Sequence, residues 1–211
     1  MWTAEPIPLL HAVTDDAVVA RAGFLERAGE VLAAGGAHLA LHLRAPGASG
    51  RAMHHLAARL AELASRTGSL LLVNDRVDVA LAAGAHGVQL GRRSLSPADA
   101  WRIVGGKMLI GASVHDADEA REAAEGGADF LLAGAVYPTV THPERPGGGI
   151  RLTESVSVFG LPVVAIGGVT PERAGELRRV GAAGMAAIRG VWDAPSPAGA
   201  VQRYLGAWQS W

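Results

Sequence analysis

The 211-residue chain has no cysteine, which excludes disulfides, thiolate metal sites and a cysteine nucleophile. It has no surplus of either charge: 19 Lys and Arg face 20 Asp and Glu, scattered along the chain, so there is no basic stripe for nucleic acid. A small neutral or anionic metabolite is the partner such a balance suits. No stretch approaches the roughly 20 consecutive apolar residues needed to span a bilayer, and Met1 to Leu10 lacks a charged region followed by a long apolar one. The expectation is a cytoplasmic protein with no membrane partner. Trp and Met are few and dispersed, which reads as packing and not as a cofactor box. Pro/Ser-rich linkers, charge blocks and low-complexity tails are missing too, so a single domain over residues 1–211 is expected.

What is present is apolar residues, 49% of the chain, enough for one substantial core. They fall in short β-branched or Leu-rich runs that alternate with Ala-rich stretches of helical period, the pattern of successive βα units around a parallel sheet. The runs predict strands at Leu9–Thr14, His38–Leu43, Leu70–Asn74, Gly87–Leu90, Leu109–Ser113, Phe130–Ala133, Val163–Ile166 and Met185–Ile188. Between them the spacing predicts helices near Val18–Ala34, Arg51–Arg66, Val77–Ala83, Pro97–Val104, Asp118–Glu125, Thr153–Val158, Pro171–Val180 and Pro197–Trp211. Ser96-Pro97 and Thr170-Pro171 place a hydroxyl at an N-cap and Pro at the first helical position. Gly84, Gly127 and Gly181 sit where helices should stop, inside a reused phrase (Gly84-Ala85-His86-Gly87, Gly127-Ala128-Asp129-Phe130, Gly181-Ala182-Ala183-Gly184) that suits the turns at the bottom of a barrel. The predicted fold is α/β, a single (β/α)₈ TIM barrel.

Side chains at the C-terminal ends of barrel strands line the active-site mouth, and polar residues recur there: Thr14-Asp15, His42 and Arg44, Asn74-Asp75, Gln89, Ser113 to His115, Thr139 and Thr141, and Gly167-Gly168. Asn74-Asp75 has two readings: an Asx turn capping the next helix, or an amide that orients a ligand beside a carboxylate that holds Mg²⁺ or a ligand nitrogen. Arg44 lies on the same strand face as His42 and can grip a phosphate bidentately; the alternative is a surface salt bridge of little worth. His42 is either a hydrogen-bonded barrel interior residue or a catalytic base. Gly167-Gly168 ends a buried strand before a capped helix, where backbone N–H groups can approach an anion, and Ile188 with Arg189 ends the neighbouring strand on a cation. Arg189 can also be an exposed residue with no such role. Residues Gly134 to Gly149 form the longest irregular stretch and the natural candidate for a loop over the mouth.

The chain resembles the thiamine-phosphate synthase/TenI family along nearly its whole length. The resemblance rests on Leu10-His11-Ala12-Val13-Thr14-Asp15-Asp16, Leu43-Arg44, Val73-Asn74-Asp75-Arg76-Val77-Asp78-Val79-Ala80, Gly87-Val88-Gln89-Leu90, Gly111-Ala112-Ser113-Val114-His115, Tyr137-Pro138-Thr139-Val140-Thr141 and Ala165-Ile166-Gly167-Gly168. It implies that Ser113, Thr139, Thr141, Gly167, Gly168, Ile188 and Arg189 hold a small phosphorylated thiazole. Two activities follow from it. Synthases couple a pyrimidine pyrophosphate to thiazole phosphate with Mg²⁺, but here Arg44-Ala45-Pro46 replaces an Arg-Glu-Lys phrase, Ser94 replaces the second Mg²⁺ carboxylate, and His142 replaces a lysine. Asp75 is then the metal ligand if Mg²⁺ is used. The TenI branch resembles thiazole tautomerases, which need no cofactor or metal. Leu10 to Asp16 and Val88-Gln89-Leu90 with Leu95-Ser96-Pro97 sit closer to that branch, so proton-shift isomerisation is the first expectation. That branch's proton-transfer histidine is replaced by Ala135, leaving His142 and His42 as acid/base candidates, with His115 a further stand-in. A third reading is a non-catalytic sensor of thiazole or thiamine phosphate. Trp2, Trp208 and Trp211 either form an apolar patch for a homodimer or pack on the barrel's own bottom.

Overall fold

The structure is a computed structural model that describes residues 7–138 and 147–210. Eight strands pair in chain order, every pair parallel, and the eighth closes on the first. They are β1 (Leu10–Val13), β2 (Leu39–Leu43), β3 (Leu70–Asn74), β4 (Gly87–Leu90), β5 (Leu109–Val114), β6 (Phe130–Gly134), β7 (Val163–Ile166) and β8 (Gly184–Ala187). The helices are α1 (Asp16–Val19), α2 (Phe24–Gly35), α3 (Gly50–Thr67), α4 (Val77–Ala83), α5 (Pro97–Val104), α6 (Ala117–Glu125), α7 (Gly149–Ser157), α8 (Ala174–Arg179), α9 (Arg189–Trp192) and α10 (Pro197–Gln209), with 3₁₀ turns at Gly36–His38 and Pro171–Arg173. The described residues thus build the expected (β/α)₈ barrel, and none of its helices is long and apolar enough to cross a membrane.

Strand alternation divides the apolar residues into two sets. Leu10, Ala12, Leu39, Leu41, Leu43, Leu71, Val73, Val88, Leu90 and Ile110 pack outward against the helices, while Val13, Ala40, Leu72, Phe130, Leu132, Val164 and Ala186 form a separate cluster inside the barrel. Gly111 makes room in that interior: a Cβ there would lie 2.3 Å from both Gln89 Oε1 and the Phe130 ring. Helix α3 shows how the outer layer is specified. Ser49 caps its first turn by accepting from the Ala52 N–H, Gly68 ends it in the left-handed region, and Met53, Ala57, Leu60 and Ala64 bury one stripe.

The predicted helix Val18–Ala34 is two helices, because Gly23 adopts φ 71° between them. Pro171 opens a 3₁₀ turn ahead of α8, and α7 begins at Gly149, four residues before its expected start. Helix α9 was missed, being only four residues long. Trp208 is buried on the barrel's own surface and supplies no exposed dimer patch; Trp2 and Trp211 lie outside the described residues.

Candidate active site

The side chains expected at the mouth ride on strand ends that the barrel brings side by side. At the β1–β2 edge, Thr14 accepts from the Arg44 N–H at 2.9 Å and its hydroxyl donates to the Arg44 carbonyl at 3.0 Å, fixing the backbone that carries Arg44. The Arg44 guanidinium has no hydrogen bond or ion pair among the described residues, and it lines a cavity of about 200 Å³ with Pro46, Met53, Asn74, Asp75 and Arg76. Arg76, also on that wall, is paired with both carboxylate oxygens of Asp78 at 2.8 and 2.6 Å.

Neither side chain of Asn74-Asp75 caps the next helix. Asp75 is the one non-glycine residue at positive φ among the described residues, at 63°. Its carboxylate does not cap α4, whose first turn has no side-chain cap. One oxygen, Oδ1, instead accepts from the Gly91 N–H at 2.9 Å and the Ser94 hydroxyl at 2.8 Å, leaving Oδ2 without a hydrogen bond among the described residues. A backbone held in a sparsely populated region to aim an exposed carboxylate across a strand gap is a feature that clusters at functional sites.

Below the rim lies a polar interior. Asn74 and Gln89 are register partners on β3 and β4, and the Gln89 amide donates to Ser113 Oγ on β5 at 3.0 Å. His42 is not at the rim: it is fully buried, with its Nε2 2.7 Å from His11 Nδ1. The direction of that bond follows from the next one, because His11 Nε2 lies 3.1 Å from the Pro8 carbonyl, which can only accept. Neutral His11 therefore carries its proton on Nε2, His42 donates from Nε2, and His42 Nδ1 is left as a bare acceptor. Burial pushes the His11 imidazole down to about 4; His42 is also depressed well below its ordinary value, by burial and then by repulsion from His11. His42 Nδ1, Asn74 Oδ1 and Gln89 Oε1 are all buried without a partner.

On the far side of the mouth, Gly167 and Gly168 adopt φ 97° and 62°. A Cβ on Gly167 would come within 2.6 Å of the Ala135 Cβ, and one on Gly168 within 2.6 Å of the Pro138 carbonyl oxygen. The turn therefore packs directly on the segment after β6. Tyr137 in that segment is anchored by donating to Glu176 at 2.7 Å, with the Arg173 guanidinium 3.7 Å from its ring centre. Burial, then the Glu176 contact, pushes the Tyr137 hydroxyl up, so it stays a proton donor. Ile188 is half-buried beside the turn's neighbour β8, and Arg189 is exposed at the first position of α9 with no ion pair among the described residues. Thr139, Thr141 and His142 lie outside the described residues.

A cavity of about 300 Å³ opens between these halves, lined by Arg92, His115, Gly134, Ala135, Gly147, Gly148 and Leu152. His115 donates its backbone N–H to Glu119 Oε2 at 2.8 Å and places ring Nδ1 2.9 Å from the same oxygen, while Glu119 Oε1 lies 3.2 Å from Arg92 Nε. Glu119 was not foreseen as a site residue. Its signal was legible: it stands four residues after His115 and three after the N-cap Asp116, a capping-box position.

A family model described as thiamine monophosphate synthase matches residues 10–191, from the first strand to α9. The chain belongs to that family. A thiamine biosynthesis bifunctional protein from Symbiobacterium thermophilum is 46% identical over 151 residues, covering 71% of this chain but only 32% of that longer protein. A thiamine-phosphate synthase from Chlorobium luteolum is 40% identical over 165 residues, 77% of each chain. The solved thiamine phosphate pyrophosphorylase of Pyrococcus furiosus superposes with a TM-score of 0.83 over 96% of both chains, at 32% identity. The Chlorobium luteolum relative carries a synthase name, and none of the three carries the isomerase name toward which the sequence leaned.

Mg²⁺ suits part of this donor set. Among the described residues no group of three or more His, Cys, Asp or Glu could hold a metal. Mg²⁺, however, commonly takes one or two carboxylates and completes its shell with waters and substrate phosphates, and the free oxygen of Asp75 beside Arg44 fits that role.

Proposed function

We propose that the chain is a thiamine-phosphate synthase: it joins a pyrimidine methyl pyrophosphate to a thiazole phosphate. The observation that carries this reading is Asp75, braced by Gly91 and Ser94, lining one cavity with Arg44, the Asp75 Oδ2 and the Arg44 guanidinium both without a partner among the described residues. In the reaction the bond between the methylene carbon and the pyrophosphate oxygen breaks, the leaving group keeps the electron pair, and the thiazole nitrogen lone pair forms the new C–N bond. Arg44 meets the charge that develops on the departing oxygens, and the backbone of Gly167 and Gly168 with Arg189 holds the thiazole phosphate on the opposite wall. Mg²⁺ held by Asp75 would neutralise pyrophosphate charge. Asn74 and Gln89, on neighbouring strand ends, hold buried acceptors beneath the space between.

Proton-shift isomerisation is the second reading. It needs a base that reaches the mouth, and of the histidines weighed for it His42 is sealed in the barrel while His115 lines a cavity there. Incubating the protein with both substrates and Mg²⁺ tests the first reading. Thiamine phosphate should form, and Asp75→Asn should lower the rate on the order of 10²-fold, the scale of losing one placed electrostatic group. No product at saturating Mg²⁺ overturns it.

A further inference from the structure

We propose that Arg173, with Glu176, is a positioning residue of the β7–α8 turn: acting through Tyr137, it holds the free N–H groups of Gly167 and Gly168 in the orientation that receives a phosphate monoester. This deepens the synthase reading and rests on its placement of thiazole phosphate at that turn. Two peptide planes set the direction of the N–H groups. The Val136 N–H donates to the Ile166 carbonyl at 2.8 Å, and the Tyr137 N–H donates to the Gly167 carbonyl at 2.9 Å. In a trans peptide the C=O and the N–H of the following residue point in opposite directions, so these bonds turn the Gly167 and Gly168 N–H groups away from the segment after β6. Neither N–H has a hydrogen-bond partner among the described residues. Glycines at φ 97° and 62° would otherwise have many conformations open to them, and ordering them at the moment of binding would cost affinity.

Tyr137 transmits the constraint. A Cβ on Gly168 would lie 2.9 Å from the Tyr137 Cβ, so a shift of Tyr137 is a shift of the wall against which the turn packs. The Tyr137 side chain crosses to residues that follow the turn in the chain: its hydroxyl donates to Glu176 Oε2 at 2.7 Å, and the Arg173 guanidinium carbon lies 3.7 Å from its ring centre. The chain from Gly168 through the 3₁₀ turn to Arg173, and back across Tyr137 to Gly168, is therefore a closed circuit of contacts. No hydrogen bond or ion pair fixes the Arg173 guanidinium among the described residues, and its Nη1 is buried without a partner. Leaving a guanidinium nitrogen unsatisfied is a cost that filling space does not explain, since an apolar side chain would fill the same space without it. The flat face of the cation over the ring is the contact that offsets it, and partial desolvation strengthens that contact.

The test measures the binding of thiazole phosphate, and separately of inorganic pyrophosphate, by calorimetry, with coupling kinetics on the same preparations and urea unfolding as the check on folding. The variants are Arg173→Ala, Arg173→Lys, Tyr137→Phe, Glu176→Ala and Glu176→Gln. Arg173→Ala should weaken thiazole phosphate about tenfold and raise its half-saturating concentration in step, while pyrophosphate affinity and turnover at saturation move by less than about twofold. Arg173→Lys keeps the cation without the planar face and should fall between wild type and Arg173→Ala. Glu176→Gln retains an oxygen that accepts the tyrosine proton and should stay near wild type, whereas Glu176→Ala should match Tyr137→Phe. A merely structural role would weaken both ligands together. That joint loss in a folded Arg173→Ala, or an unchanged thiazole phosphate affinity, overturns the proposal; if Arg173→Ala does not fold, the contrast between Glu176→Ala and Glu176→Gln decides in the same way. Coupling by wild type alongside either adverse result sinks the clamp alone. Thiazole phosphate binding that depends on Arg173, with no coupling, supports the clamp and sinks the synthase. Failure of wild type to bind thiazole phosphate sinks both.

Discussion

At the scale of single residues, position 94 carries the sharpest consequence. Ser94 gives its hydroxyl to Asp75 Oδ1, the contact that a second carboxylate would turn into a repulsive pair needing a cation between its members. Ser94→Asp should therefore lower the Mg²⁺ concentration that half-saturates coupling by roughly tenfold, read from a Mg²⁺ titration of the rate. Without Mg²⁺ the same variant should melt slightly below wild type. Lys107 is the chain's one lysine, so the permanently cationic contacts to phosphate or pyrophosphate at the mouth fall to arginines, whose planar fork grips two oxygens at once. Arg44→Lys should accordingly behave as a loss and not as a conservative change, visible as a weaker pyrophosphate substrate in the same assay.

At the scale of elements, the β7–α8 turn and α3 make contrasting predictions. Gly168→Ala forces a side chain into a left-handed position and against the Pro138 carbonyl oxygen, at a cost of about 1–3 kcal/mol. Urea unfolding should register that cost, and calorimetry should show thiazole phosphate binding lost while the barrel still folds. Gly68→Ala strains the left-handed C-cap of α3 at the opposite end of the barrel, where a Cβ would meet nothing within 4 Å. It should cost about 1–2 kcal/mol and leave coupling untouched. The elements themselves were largely legible: β3, β4, β7, α4 and α5 begin and end where the apolar runs and their Ser, Pro and Gly punctuation put them. The misses have local causes. Gly23 breaks a helical pattern that continues on both sides, and α9 is too short to show a period. The strand-end positions of Arg44, Asn74, Asp75 and Gln89 were legible because barrel geometry assigns them. The depth of His42 was not: strand parity turns it inward, but how far below the rim it sits depends on the stagger between β1 and β2, which pairs it with the last residue of β1.

At the scale of the molecule, the buried imidazole pair ties global stability to pH. In the unfolded chain His11 titrates near 6.5 and in the barrel at about 4, and His42 is shifted in the same direction. Between those values the unfolded state binds protons that the folded state refuses, so stability is full above pH 6.5 and falls as the pH drops toward 4. The slope should approach 1.4 kcal/mol per pH unit for each proton, read from urea midpoints at several pH values. A His11→Gln/His42→Gln double variant should flatten it. Closure of the eight strands has another effect, centred on Gly111. The Gln89 amide and the Phe130 ring from the two flanking strands both occupy the space that a side chain at 111 would claim. Three positions spread over 42 residues of sequence, counting 89 to 130 inclusive, therefore share one volume. A lineage that enlarges position 111 must shrink 130 or reroute 89 in the same step, so these sites are expected to change together across descendants of this barrel, as one inherited unit.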